Sequence, residues 1–192
     1  MHSRALAAAL VVLLTPAAVW ADRLDSLLNK GPVVVVEHDG KGKFASATGV
    51  VAVEASIEKA WAVITEFQSY PKFVPKVVKT EVDDLGPTEV KVKWELEVPG
   101  PNTVYTVRYK LDPVKRTIEA EQVGGDLKGS RWFWELESAG PNRTLLHYRS
   151  SARNFSSILE SAEDDQQTIT IGVNVGGVLT LLRALQGRIQ KT

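Results

Sequence analysis

This chain of 192 residues contains no cysteine. Disulfides are therefore excluded, as is a lipid-attachment cysteine, and the fold must be held by core packing, which a chain of this length can supply. Histidine is nearly absent too. His2, His38 and His147 stand far apart, and no H-x-x-x-H or similar metal-ligand spacing occurs. There is no G-x-S-x-G, no phosphate-binding loop and no dinucleotide fingerprint. The Asp83-Asp84 and Asp164-Asp165 doublets fall in polar, turn-like stretches, where solvated carboxylates are expected. No convergent acid–base pair can be named, so the sequence offers no catalytic residue, no metal site and no cofactor. Charge of one sign is not in excess either, with 23 basic and 23 acidic residues and no basic block. That balance argues against nucleic acid or an anionic membrane surface as the main partner. Internal repeats and low-complexity tracts are absent as well.

The first residues are apolar. Arg4 supplies a positive start, Ala5 to Leu14 run unbroken, Pro16 ends the run, and Val19-Trp20-Ala21 closes on a small residue. The run is shorter than the ~20 residues that span a bilayer. The expectation is a cleavable secretory signal at 1–21, with the mature chain starting near Asp22 and exported to the periplasm or beyond. Losing Arg4 leaves 22 basic residues against 23 acidic ones, close to neutral. Residues 22–192 suit one domain, monomeric in this reading, with 22–44 as an N-terminal extension.

The stretch from Gly49 to Val78 is the most specific in the chain. Val50-Val51-Ala52-Val53 reads as a short strand, and Ser56 as the N-cap of a helix, although Lys59 stands where a capping box would need a carboxylate. Ile57, Ala60, Trp61, Ile64 and Phe67 recur at helical spacing, with Trp61 on the inner face. Pro71 is expected to stop that helix, and Pro75 to close a second short turn carrying Phe73 and Val74. Through Val53, Ala60, Trp61, Phe67, Tyr70, Pro71, Phe73 and Pro75, this unit resembles the start of the helix-grip superfamily. That superfamily includes START lipid-transfer domains, pathogenesis-related plant allergens and polyketide cyclases. The nearest branch in this reading is the coenzyme Q-binding START-like proteins. The resemblance implies an α+β helix-grip fold: a curved antiparallel sheet wrapped around a long C-terminal helix, two short helices after the first core strand, and a ligand cavity between sheet and helix.

The rest of the chain fits that outline on its own evidence. Val90, Val92, Trp94, Leu96 and Val98 alternate with Lys91, Lys93, Glu95 and Glu97. Thr103, Tyr105, Val107, Tyr109 and Leu111 form the next inner row, followed by Ile118, Ala120 and Gln122, then Trp132, Trp134 and Leu136. Turn clusters at Pro99–Asn102, Asp112-Pro113, Gly124–Asp126 and Gly140–Asn142 separate these strands. The last strand has two registers. Leu146, Tyr148 and Ser150 inward is preferred, because the other would bury His147 and Arg149 together. Val178, Leu181, Leu182, Leu185 and Ile189 mark an amphipathic helix opening around Gly176-Gly177. The acidic, polar segment Asn154–Gln167 reads as a surface connection or as a flap over a pocket mouth.

If a cavity exists, its walls would come from Trp94, Leu96, Tyr105, Val107, Tyr109, Trp132, Trp134, Tyr148, Val178, Leu181, Leu182 and Leu185, with Phe73 and Val74 at the entrance. Tyr105, Tyr109, Tyr148 and Gln122 would fix the polar end of a ligand. The expected function is an exported carrier of a hydrophobic small molecule (a lipid, quinone or polyketide-like compound) that allows transient contact with a membrane. The alternatives are a cyclase or dehydratase using Tyr105, Tyr109 or His147, and a filled, ligand-free domain acting through protein contacts.

Overall fold

The computed structural model describes residues 23–98, 101–153 and 166–191. The leader read at 1–21 and residues 154–165 of the segment read as a flap lie outside them. The β-branched run at the start of strand β1 (Val33–His38) suits a pleated surface, and β1 pairs antiparallel with β2 (Phe44–Val53). The stretch expected as an extension is thus an edge of the sheet, and the first core strand begins at Phe44 rather than Val50. Ahead of it, helix α1 (residues 23–28) is tied down by buried Leu28 and by Arg143, which donates to both carboxylate oxygens of Asp25 at 2.9 and 3.1 Å.

The sheet continues with β3 (Val77–Gly86), β4 (Glu89–Leu96), β5 (Thr103–Asp112), β6 (Thr117–Gly125), β7 (Arg131–Gly140) and β8 (Arg143–Ser150). Its order is β1-β2-β8-β7-β6-β5-β4-β3, antiparallel throughout, so the chain's first strands close against its last. Asp83 and Asp84 belong to β3, not to a turn. Across the outer face, Lys91 meets Asp83 at 2.7 Å and Lys93 meets Glu81 at 3.4 Å, so the alternating lysines of β4 make an acidic edge strand compatible with the sheet. The inner rows are as the alternation predicts, and β8 takes the preferred register: Leu146, Tyr148 and Ser150 are buried. His147 and Arg149 face outward, toward Glu137 at 3.5 Å and Glu37 at 3.9 Å.

Helix α2 (Ile57–Thr65) begins at Ser56, whose hydroxyl accepts from the Lys59 amide at 3.4 Å. That bond is long, so Ser56→Ala should cost only the lower part of the usual N-cap range, about 0.5–1 kcal/mol, measured as a shift in the denaturant midpoint with unchanged slope. Two details differ from the sequence reading. Val63, not singled out by the spacing, is buried with Ala60 and Ile64, while Trp61 packs partly buried against the core with the Arg116 guanidinium 5.6 Å from its ring centre. Pro71 does not end the helix. Helix α2 stops at Thr65, whose hydroxyl donates to the Trp61 carbonyl at 2.9 Å, and Pro71 lies inside a following 3-10 turn, Phe67–Lys72. The Tyr70 hydroxyl donates to the Ile64 carbonyl at 2.8 Å and folds that turn back onto the helix.

Helix α3 (Gln166–Lys191) starts well before Gly176-Gly177. Gly172, Gly176 and Gly177 all lie within it and disfavour a helix by about 1 kcal/mol each. Asn174 offsets this. Its amide donates to the carbonyls of Ala152 and Thr170 at 3.0 and 2.9 Å, and its oxygen accepts from the Ser150 hydroxyl and the Ala152 amide at 2.8 and 3.0 Å. Residues 167–191 are long and apolar enough to cross a membrane by length and composition. Val178, Leu182, Leu185 and Ile189 of this helix are buried in the protein core, while only 22% of its most apolar window is buried. Gly49 of β2 permits the approach: a Cβ there would collide with Val178 and Leu182. Farther along, the Gln186 amide donates to the Ala52 carbonyl at 2.8 Å.

Candidate functional site

Strand alternation and the path of α3 leave a hollow of about 360 Å³ between the concave sheet face and the first half of the helix. The curved sheet turns Trp94 and Leu96 of β4, Tyr105, Val107 and Tyr109 of β5, Trp132 and Trp134 of β7, and Tyr148 of β8 toward one space. Val173, Asn174, Gly176, Gly177, Val178 and Leu181 form the roof, where the glycines leave room that side chains would occupy. Phe67, Tyr70 and Val74 close the side next to the 3-10 turn.

The walls are aromatic and tightly ordered. Trp134 stacks on Tyr148 with ring centres 4.2 Å apart and Tyr105 on Trp132 at 6.0 Å, Phe67 packs tilted against Tyr109 at 4.4 Å, and Tyr70 meets Trp94 edge-on at 5.3 Å. Such pairs are worth roughly 0.5–1.5 kcal/mol beyond the area they bury. They hold the walls against collapse into the hollow.

Sequence reasoning assigned four further residues to this space, and the structure places them elsewhere. Leu182 and Leu185 are fully buried, Leu182 where the helix meets Gly49, and neither reaches the hollow. Gln122 lies just before a bulge in the β5–β6 pairing, and its amide donates to the Gly125 carbonyl at 3.2 Å. Phe73 packs on Tyr70 and under the Arg188 guanidinium instead of at the entrance, while Val74 does line the cavity. His147, considered as a proton-transfer group, lies on the opposite sheet face.

Sequence reasoning missed the rim. Lys76 and Glu97 pair at 3.0 Å across the mouth, next to Pro75, Val77 and Val98, with both side chains more than half exposed. Leu127 is buried at the rim in the β6–β7 turn against Tyr105, Trp132, Ala152 and Val173. Lys76 and Leu127 both adopt left-handed backbone, with φ of 69° and 61°. For residues with a Cβ this costs about 1–2 kcal/mol each. Asn174 could have been found, because it lies one turn before Val178 on the same helical stripe; the late helix start hid it.

The electrostatics are those of a neutral pocket. Burial raises the hydroxyls of Tyr105, Tyr109 and Tyr148 above the ordinary tyrosine range, and proximity to one another raises Tyr109 and Tyr148 further. The Trp94 indole N–H is buried without a completed hydrogen bond, yet lies close enough to the Tyr109 hydroxyl to oppose that rise. The charged residues on the lining are Lys76 and Glu97, which pair with each other. Among the described residues no cluster of His, Asp or Glu could hold a metal ion.

A sequence model of the family described as polyketide cyclase / dehydrase and lipid transport matches residues 53–185. Among solved structures, the chain is similar to the Zhui aromatase/cyclase from a Streptomyces species, at 21% identity and a TM-score of 0.64, covering 76% of this chain and 93% of that one. It is similar to a STAR-related lipid transfer protein from Xanthomonas axonopodis, at 18% identity and a TM-score of 0.63, covering 83% and 94%. A START superfamily protein from Mycobacterium smegmatis has a TM-score of 0.59 at 18% identity, covering 76% and 97%. At these identities the likeness is one of fold, the START-like helix grip. A comparison with curated proteins gives no match.

Proposed function

Because the chain belongs to the polyketide cyclase/dehydrase and lipid-transport family, whose model matches residues 53–185, we propose that it is an exported, monomeric carrier of one hydrophobic small molecule. The ligand, a lipid, quinone or polyketide-like compound, sits between the sheet and α3. The observation that carries this reading is the aromatic hollow of about 360 Å³, on whose lining the charged residues, Lys76 and Glu97, are paired with each other. Apolar ligand surface placed there leaves water at about 25 cal/mol per Å². Cyclase-type chemistry would need a base, and Tyr105 and Tyr109 are held protonated by burial. Export through the leader at 1–21 puts the carrier outside the cytoplasm, and transient contact with a membrane gives it a route to load.

The test is native mass spectrometry of the protein purified from the extracytoplasmic fraction of its own host. We expect a chain starting near Asp22 with one organic ligand bound per copy. Leu181→Trp, which fills the hollow from the roof, should remove the ligand while leaving the circular dichroism spectrum unchanged. A chain recovered empty from its host, in organic extract as well as by mass, would end the carrier reading.

A further inference from the structure

We infer that the outer edge of β1 docks one extended strand of a protein partner, apolar on the core side and carrying a cation beside Glu37. This goes beyond the carrier reading and does not depend on what the hollow holds. An edge strand leaves a row of backbone N–H and C=O groups unpaired, and proteins ordinarily blunt such rows with charge or bulges. The two edges of this sheet differ in that respect. Strand β3 carries Lys79, Glu81, Asp83 and Asp84, and its pairing is irregular toward both ends. Strand β1 offers Val33-Val34-Val35-Val36 without a charge, and its irregularity comes after them, between Glu37 and His38. Among the described residues, β2 is its only strand neighbour. Val34 packs against the core while Val35 stands 59% exposed, so this edge is fixed in shape and open. Another extended backbone supplies donors and acceptors at the spacing of that row. The register sets which side chains the incoming strand needs. Val34 and Val36 lie opposite Gly49 and Ala47, on the face toward α3, and call for apolar neighbours. Glu37 is half exposed, with Arg149 no nearer than 3.9 Å, and a cation placed across from it is favourable. A second copy paired antiparallel about Val35 would set Val33 there instead, so a foreign strand fits this edge better.

The probe is the capped peptide Lys-Val-Thr-Val-Thr, titrated into the protein while its backbone amide resonances are followed. Antiparallel docking sets the lysine beside Glu37 and the two valines beside Val36 and Val34. We expect saturable shifts centred on β1. Successive amides of a strand point to opposite edges, so of two peptides N-methylated at odd or even positions, one should bind like the parent. The other should bind about tenfold more weakly or worse, the effect of losing edge hydrogen bonds. The reversed peptide, Thr-Val-Thr-Val-Lys, should bind severalfold more weakly because its cation leaves Glu37. Val35→Lys in the protein should do the same, by setting a second cation beside the peptide's lysine. Equal affinity for the two methylated peptides or for the reversed one, absence of binding, or shifts centred on Trp94 and Trp134 would overturn the docking edge. So would a protein that sediments as a dimer and returns to monomer on Val35→Lys, because the edge would then belong to a second copy.

Discussion

Gly49→Val is expected to destabilise the protein by roughly 3 kcal/mol, at the upper end of what overpacking costs. Strand propensity alone points the other way, since valine is favoured and glycine disfavoured inside a strand by up to about 1 kcal/mol. The contact decides the sign. A Cβ at Gly49 already collides with Val178 and Leu182, and two further methyl groups would enter the same contact. Val178 is stiff at its first torsion, and Leu182 is fully buried, so neither can swing aside. The helix itself would have to lift off β2, exposing a stripe whose side chains contribute roughly 1.5–3 kcal/mol apiece. Urea denaturation of Gly49→Ala and Gly49→Val should give a graded loss. A valine variant as stable as the parent would show that helix and strand are not pressed together there.

Asn174→Leu should cost about as much for a different reason. The leucine fills the space but strands the Ser150 hydroxyl and both backbone groups of Ala152. Each buried polar group left unsatisfied costs about 1–3 kcal/mol. The site borders the cavity, where water can enter, so the total should sit near 3 kcal/mol rather than at the sum. Ser150→Ala removes one partner only and should cost about 1 kcal/mol. An Asn174→Leu variant no weaker than Ser150→Ala would mean that the four bonds do not act together in fastening the start of α3.

The parts of this molecule that were readable in advance are those with one wet face and one dry one. Strands β4, β5, β7 and β8 alternate cleanly, so their inner rows, and with them Trp94, Tyr105, Val107, Tyr109, Trp132, Trp134 and Tyr148, follow from period two. Strands β1 and β3 are edges with few buried positions, so alternation carries no signal there, and Asp83-Asp84 imitates a turn. The glycines of α3 conceal its start because their cost is offset by Asn174, a tertiary contact that propensity does not contain. The cavity wall was harder than the core for a related reason. Val178, Leu181, Leu182 and Leu185 lie on one helical stripe, and periodicity treats them alike. Which of them meets protein and which meets empty space depends on where Gly49 lets the helix sink. Leu127 and the Lys76–Glu97 pair depend on turns from distant parts of the chain meeting at one rim, which no local pattern expresses.

The pairing of β2 with β8 has a consequence for how the molecule assembles. Val51 lies opposite Leu146, so the junction one strand in from the β1 edge joins segments separated by most of the described chain, and α3 follows later still. Closing so long a loop before any contact compensates for it makes such topologies slow to form. A nascent chain lacking its final segment would therefore hold hairpins but no enclosed interior. The hollow that would receive a guest comes into being only as the last residues arrive.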